Sequence, residues 1–211
     1  MSATEALRVG AAHPAEGAIP RHGGGSAMPG WWGMVLLIAT EAMLFGTLIA
    51  SYFYLRFGEG QVWPPDGIKK PTLELPLIMT AVLWSSSFPV HLAERAARRG
   101  SQAMLRGGLL AGFLLGAVFL GMQVGIEYPE KLREFTATEN AYGSLFFALT
   151  GFHGTHVLVG LLLSLWVQVR AWRGAFTAER HLTVQNFVMY WHFVDVVWAA
   201  VLATIYLSPN F

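Results

Sequence analysis

Tyr190-Trp191-His192-Phe193-Val194-Asp195-Val196-Val197-Trp198 decides how this chain must be built. It lies inside an apolar run from about Leu182 to Leu207 that is long enough to cross a bilayer. An imidazole and a carboxylate therefore sit close to the middle of a membrane helix. At 3.6 residues per turn His192 and Asp195 share a face, while Phe193, Val194, Val197 and Trp198 cover much of the remainder. A polar face at that depth cannot look at lipid, so it predicts neighbouring helices that bring it partners.

Composition agrees. Of 211 residues 54% are hydrophobic and 13% charged, with mean hydropathy +0.46, which is too apolar for a soluble globular domain. The net charge of +1 comes without a basic stripe interleaved with aromatics, so nothing points to a nucleic-acid partner. The absence of cysteine excludes disulfides, thiolate-bound metals and covalent haem attachment.

The expected fold is all-α: a bundle of five transmembrane helices behind a polar amino-terminal arm. The arm covers residues 1–29, and its His13 and His22 lack ligand spacing and read as solvated surface. It is no signal peptide, because the first long apolar run starts only at Trp31. The transmembrane domain, 30–211, holds helices at about 31–55, 74–94, 104–128, 142–170 and 182–207. Trp31 opens the first and Tyr52 and Tyr54 close it, as the aromatic belts of a membrane interface would. Pro89 is interior to the second and predicts a kink beside Ser85, Ser86 and Ser87; His91, next to Glu94 and Arg95, reads as interfacial. On the third, Gly108, Gly112 and Gly116 form a small-residue stripe that admits a helix or a lipid chain. Gln123 and Glu127 approach its end, where a carboxylate reaches interfacial water, and Pro129 to Ala141 reads as a polar loop.

Nine arginines (Arg8, Arg21, Arg95, Arg98, Arg99, Arg106, Arg170, Arg173 and Arg180) fall on the side of the amino terminus. Five basic residues (Arg56, Lys69, Lys70, Lys131 and Arg133) fall on the other, which predicts a cytoplasmic amino terminus and an outside carboxyl terminus.

Glu41, about ten residues into the first helix and so roughly 15 Å deep, joins the mid-depth polar set. With His153 and His156 of Gly151-Phe152-His153-Gly154-Thr155-His156 and with His192 and Asp195, the set draws on helices one, four and five. Such a set serves a proton or ion transporter as a relay, a metalloenzyme as ligands, or a structural subunit as interhelical glue. The chain lacks the internal repeat common in transporters, and three histidines are too few for a haem-copper centre. The expected arrangement turns these groups towards one another, with Glu41 meeting the helix-four histidines.

Ala39-Thr40-Glu41-Ala42-Met43-Leu44-Phe45, Gly151-Phe152-His153-Gly154-Thr155-His156-Val157 and the 190–198 string together resemble subunit III of haem-copper respiratory oxidases, principally cytochrome c oxidase. With Gln123 and Glu127-Tyr128 they follow the family's order over everything from Trp31 to Leu207. The resemblance is to the shorter bacterial form, five helices in place of seven. It implies an accessory subunit of an aerobic terminal oxidase with no catalytic centre, haem or metal of its own, resident in the bacterial plasma membrane. It further implies packing on catalytic subunit I, with subunit II in the same complex, and bound phospholipid, for which Gly108, Gly112, Gly116, Trp31, Trp191 and Trp198 are candidate packing or lipid positions. Support of proton uptake and of turnover stability is part of the same implication, and Glu41 matches the family's buried, carbodiimide-reactive carboxyl. Seven residues before the motif His, where long members often carry Glu, stands Gln185. Quinol-oxidase or nitric-oxide-reductase-associated homologues share this pattern, and an independent proton-coupled transporter is the reading from another class.

Overall fold

A computed structural model describes residues 29–58, 63–65 and 67–210. The arm with Arg8, His13, Arg21 and His22 lies outside the described residues. Among the described residues five helices are long and apolar enough to cross a membrane: α1 Pro29–Gly58, α2 Glu74–Arg98, α3 Gln102–Glu134, α4 Ala141–Trp172 and α5 Leu182–Asn210. There is no strand among the described residues.

Two long helices are not uniform. In α3 the α-helix Gln102–Met122 passes through a π turn, Gln123–Glu127, into the helical turns Tyr128–Glu134. The segment from Pro129, expected as loop, is therefore helical as far as Glu134. Proline has no N–H to offer the preceding turn and its ring crowds the carbonyl there; a wider turn just before Pro129 relieves both and lets the helix go on. In α5 the α-helix ends at Val201, a π turn spans Leu202–Leu207, and Ser208–Asn210 closes as 3₁₀. Asn140 starts α4 conventionally, its side-chain oxygen accepting from the Gly143 N–H at 2.7 Å.

Helices α2 and α3 form the tightest hairpin. Gly100 turns the chain with φ +73°, a left-handed conformation that favours glycine. Helix α2 runs on through Pro89 without interruption, and the serines of that turn bond back to carbonyls three residues earlier: Ser85 to Val82 at 2.7 Å, Ser86 to Leu83 at 2.6 Å. The glycine stripe is filled by protein. A Cβ on Gly108 would stand 2.5 Å from the Pro89 carbonyl oxygen, one on Gly112 would strike Val90, and one on Gly116 would meet the Trp191 ring at 2.5 Å. Small residues here let backbone meet backbone, the usual means of holding helices together in lipid.

The core is organised around α5. Trp191 lies between Gly116 of α3 and Gly160 of α4 and donates its indole N–H to Ser86 of α2 at 2.9 Å. Trp198 donates to Thr80 at 2.8 Å and packs edge-on against Phe119. Trp31, by contrast, is half-buried at the start of α1, its ring against that of the exposed Trp32. At the far end Trp63 of the 1–2 connector packs between Tyr52 and Tyr142.

Candidate functional site

Glu41 of α1 and His156 of α4 meet, the carboxyl Oε2 lying 3.1 Å from Nε2. The other ring nitrogen, Nδ1, lies 2.7 Å from the Phe152 carbonyl. A carbonyl only accepts, so Nδ1 carries a hydrogen, and the contact between Nε2 and the carboxyl is then held by a single proton, resident on one or the other. Phe45 and Phe193 pack on the imidazole edges, and the Tyr190 hydroxyl donates to the His156 main-chain carbonyl at 3.2 Å. Glu41 keeps 29% of its side-chain surface and His156 13%, so the pair sits at the rim of the bundle.

His153 does not join them. One turn away on α4, it is wholly buried between the rings of Phe119 and Trp198, and neither ring nitrogen has a hydrogen-bond partner. Glu41 thus meets one of the two helix-four histidines.

His192 and Asp195 form a second and separate site. Their Nδ1 and Oδ2 stand 3.6 Å apart, and both turn to α2, where Ser87 donates a short hydrogen bond to Asp195 Oδ2 and lies 3.4 Å from His192 Nδ1. The ring of His91 is 6.4 Å from that of His192. His91 stands only 3.9 Å from Glu94, whose firm partner is Arg98 at 2.6 Å. The expected single cluster is therefore one interhelical pair, Glu41 with His156, one α5 pair bound to Ser87 of α2, and one isolated imidazole. The physical reason is angular: on α4, residues three apart point about 60° from one another. That is enough to send His156 to α1 and His153 inward.

A third polar group was not expected where it lies. Glu127, placed by its sequence position near interfacial water, is 1% exposed and accepts a short hydrogen bond from Tyr206 of α5. Gln123 donates to the Thr150 carbonyl at 2.8 Å and Tyr128 to the Thr150 hydroxyl at 3.3 Å. The two π turns, Gln123–Glu127 and Leu202–Leu207, carry Glu127 and Tyr206. No periodicity count announces such turns; Pro129, two residues after Glu127, is the one signal the sequence offers.

Among the described residues no group of three or more His, Cys, Asp or Glu is placed to hold a metal. The architecture defines a multi-pass helical membrane protein in which the acids Glu41, Asp195 and Glu127 are each matched across helices. Its sequence matches the family model described as cytochrome c oxidase subunit III over residues 22–209. Among similar proteins, cytochrome c oxidase subunit 3 of Thermostichus vulcanus is 36% identical over 180 residues, 85% of this chain and 87% of the relative. The Arabidopsis thaliana protein of the same name is 37% identical over 83% of this chain and 67% of its own length. A probable cytochrome c oxidase subunit 3 of Nocardia farcinica is 37% identical over 82% and 85%. The chain belongs to the cytochrome c oxidase subunit III family.

Proposed function

We propose that this protein is the accessory, cofactor-free subunit III of a bacterial aerobic terminal oxidase, held in the plasma membrane with its amino terminus in the cytoplasm. In this reading residues 30–211 are the transmembrane domain behind the 1–29 arm, and they pack on catalytic subunit I in a complex that also contains subunit II. The subunit binds phospholipid and supports proton uptake and turnover stability while its partners, which hold the haems and copper, reduce oxygen. Family membership over nearly the whole chain carries the proposal. The excess of arginine on the amino-terminal side, nine against five basic residues, supports the orientation. An apolar hollow of about 340 Å³ among Gly30, Met34, Leu163, Trp166, Leu182 and Phe187 suits an acyl chain.

Within this function Glu41 and His156 act first as interhelical glue, since an acid and an imidazole that satisfy each other remove the penalty of placing either in hydrocarbon. Purification in mild detergent tests the assignment. The chain should co-elute with haem-containing and copper-binding subunits, and an oxidase stripped of it should take up protons more slowly and inactivate in fewer turnovers. A haem-free, self-sufficient particle overturns the assignment.

A further inference from the structure

The α2/α5 site differs from the α1/α4 pair in what it leaves unfilled. Ser87 gives its hydrogen to Asp195 Oδ2, so its oxygen is left to accept from His192 Nδ1. That geometry places the imidazole hydrogen on Nδ1 and leaves His192 Nε2 as an acceptor. Asp195 Oδ1 is shut from solvent and has no hydrogen-bond partner. Two acceptors of one small site thus lack donors, and of the two His192 Nε2 is the one that a group outside the chain can reach. They are at mid-depth: Ser87 and Asp195 each lie 13 residues from the start of their helices, about 20 Å along. The His192 side chain is 43% exposed, beside a hollow of about 310 Å³ that Asp195 lines with Trp84, Ser87 and Val196. The rim is apolar, with Trp84, Phe88 and Val196 half exposed or more. Hydrocarbon chains offer no donor, and lipid headgroups do not reside at this depth.

We propose that this face of α2 and α5 is the docking surface for a transmembrane helix of a neighbouring oxidase subunit, one that presents a hydrogen-bond-donating side chain to His192 at mid-depth. The apolar rim packs on that helix and the donor completes the polar site. The proposal rests on the subunit III assignment above and adds which face is covered and by what chemistry.

The chain has no cysteine, so a single one can report from a chosen place. In the intact oxidase, Trp84→Cys and Val196→Cys carrying a photoreactive thiol label should cross-link to a second subunit, whereas Leu162→Cys, exposed on α4, should link to lipid. His192→Leu should weaken retention of this chain through detergent washing by about threefold to thirtyfold, the effect of losing one interhelical hydrogen bond in a membrane. His192→Gln, which keeps a polar tip, should restore part of it. Labels at 84 and 196 that reach only lipid, or His192→Leu retained as well as the parent, overturn the docking face while leaving the family assignment intact. A chain that purifies with no haem-containing partner overturns both.

Discussion

The first and last helices are about equally apolar and equally long, yet the bundle holds them by different means. In the most apolar window of α5, 61% of residues are buried; in that of α1 the figure is 6%. Helix α5 is clamped by two indoles that fill space between α2, α3 and α4 and also donate hydrogen bonds. Helix α1 touches only α4 and α5 substantially, buries Phe45 and Tyr52, and is pinned at mid-depth by one acid on one imidazole. Polar residues in a membrane helix therefore do not carry equal weight. On α5 they complete a contact that packing has already made, and on α1 they are much of the contact.

If that contrast is right, the largest loss follows from emptying the α5 clamp. Trp191→Ala removes a fully buried indole from between Gly116 and Gly160 together with the N–H that Ser86 accepts. The expected penalty is about 3–5 kcal/mol. It should appear as a sharply lower midpoint in detergent-induced unfolding followed by tryptophan fluorescence. A midpoint within error of the parent would mean that α5 is not the organising helix.

Glu41→Leu should come next, at about 1–3 kcal/mol, because it leaves the His156 Nε2 without a partner in apolar surroundings. Its signature should be local. Cysteines placed on α1 should become more accessible to membrane-permeant reagents while those on α5 do not. Glu41→Gln, whose amide can donate to the same nitrogen, should restore the attachment. Loosening of the whole bundle by Glu41→Leu would erase the distinction between the two helices.

Much of this was legible in the sequence and some was not. The run of apolar residues interrupted by Glu41 and by the His192 and Asp195 pair dictates five spans and interhelical partners, because hydrocarbon offers none. Which partner each group finds is a matter of helix rotation, which spacing alone does not specify. His153 and His156 share the three-residue spacing of His192 and Asp195; the first two diverge to different neighbours while the second two converge on Ser87. Ser86 and Ser87 are indistinguishable in sequence, yet one receives the Trp191 indole and the other binds Asp195. Glu127 was misplaced because a helix assumed to end near Tyr128 continues through a π turn, which rotates the carboxyl inward to Tyr206.

A smaller effect is expected at the second indole. Thr80→Val is nearly isosteric and removes the oxygen that receives the Trp198 N–H at 2.8 Å. The loss should be about 0.6–1.7 kcal/mol, as for other interhelical hydrogen bonds in bilayers. The same unfolding measurement should therefore rank it well below Trp191→Ala, since the Trp198 ring still packs on Phe119.

The smallest effect tests whether the two helices are held independently. Tyr190 of α5 reaches the neighbourhood of Glu41 and donates to the His156 carbonyl, so His156 is hydrogen-bonded by α1 through its ring and by α5 through its main chain. That carbonyl is already an acceptor within α4, which makes the Tyr190 bond an addition to a satisfied group. Tyr190→Phe should then cost only about 0.6 kcal/mol. Combined with Glu41→Gln in a double-mutant cycle, its coupling should stay under about 0.5 kcal/mol, because removing the hydroxyl leaves the imidazole's orientation to Phe152 and Glu41. A coupling clearly above that value would mean that α5 steers the imidazole through Tyr190, and the attachment of α1 would then be a property of both helices.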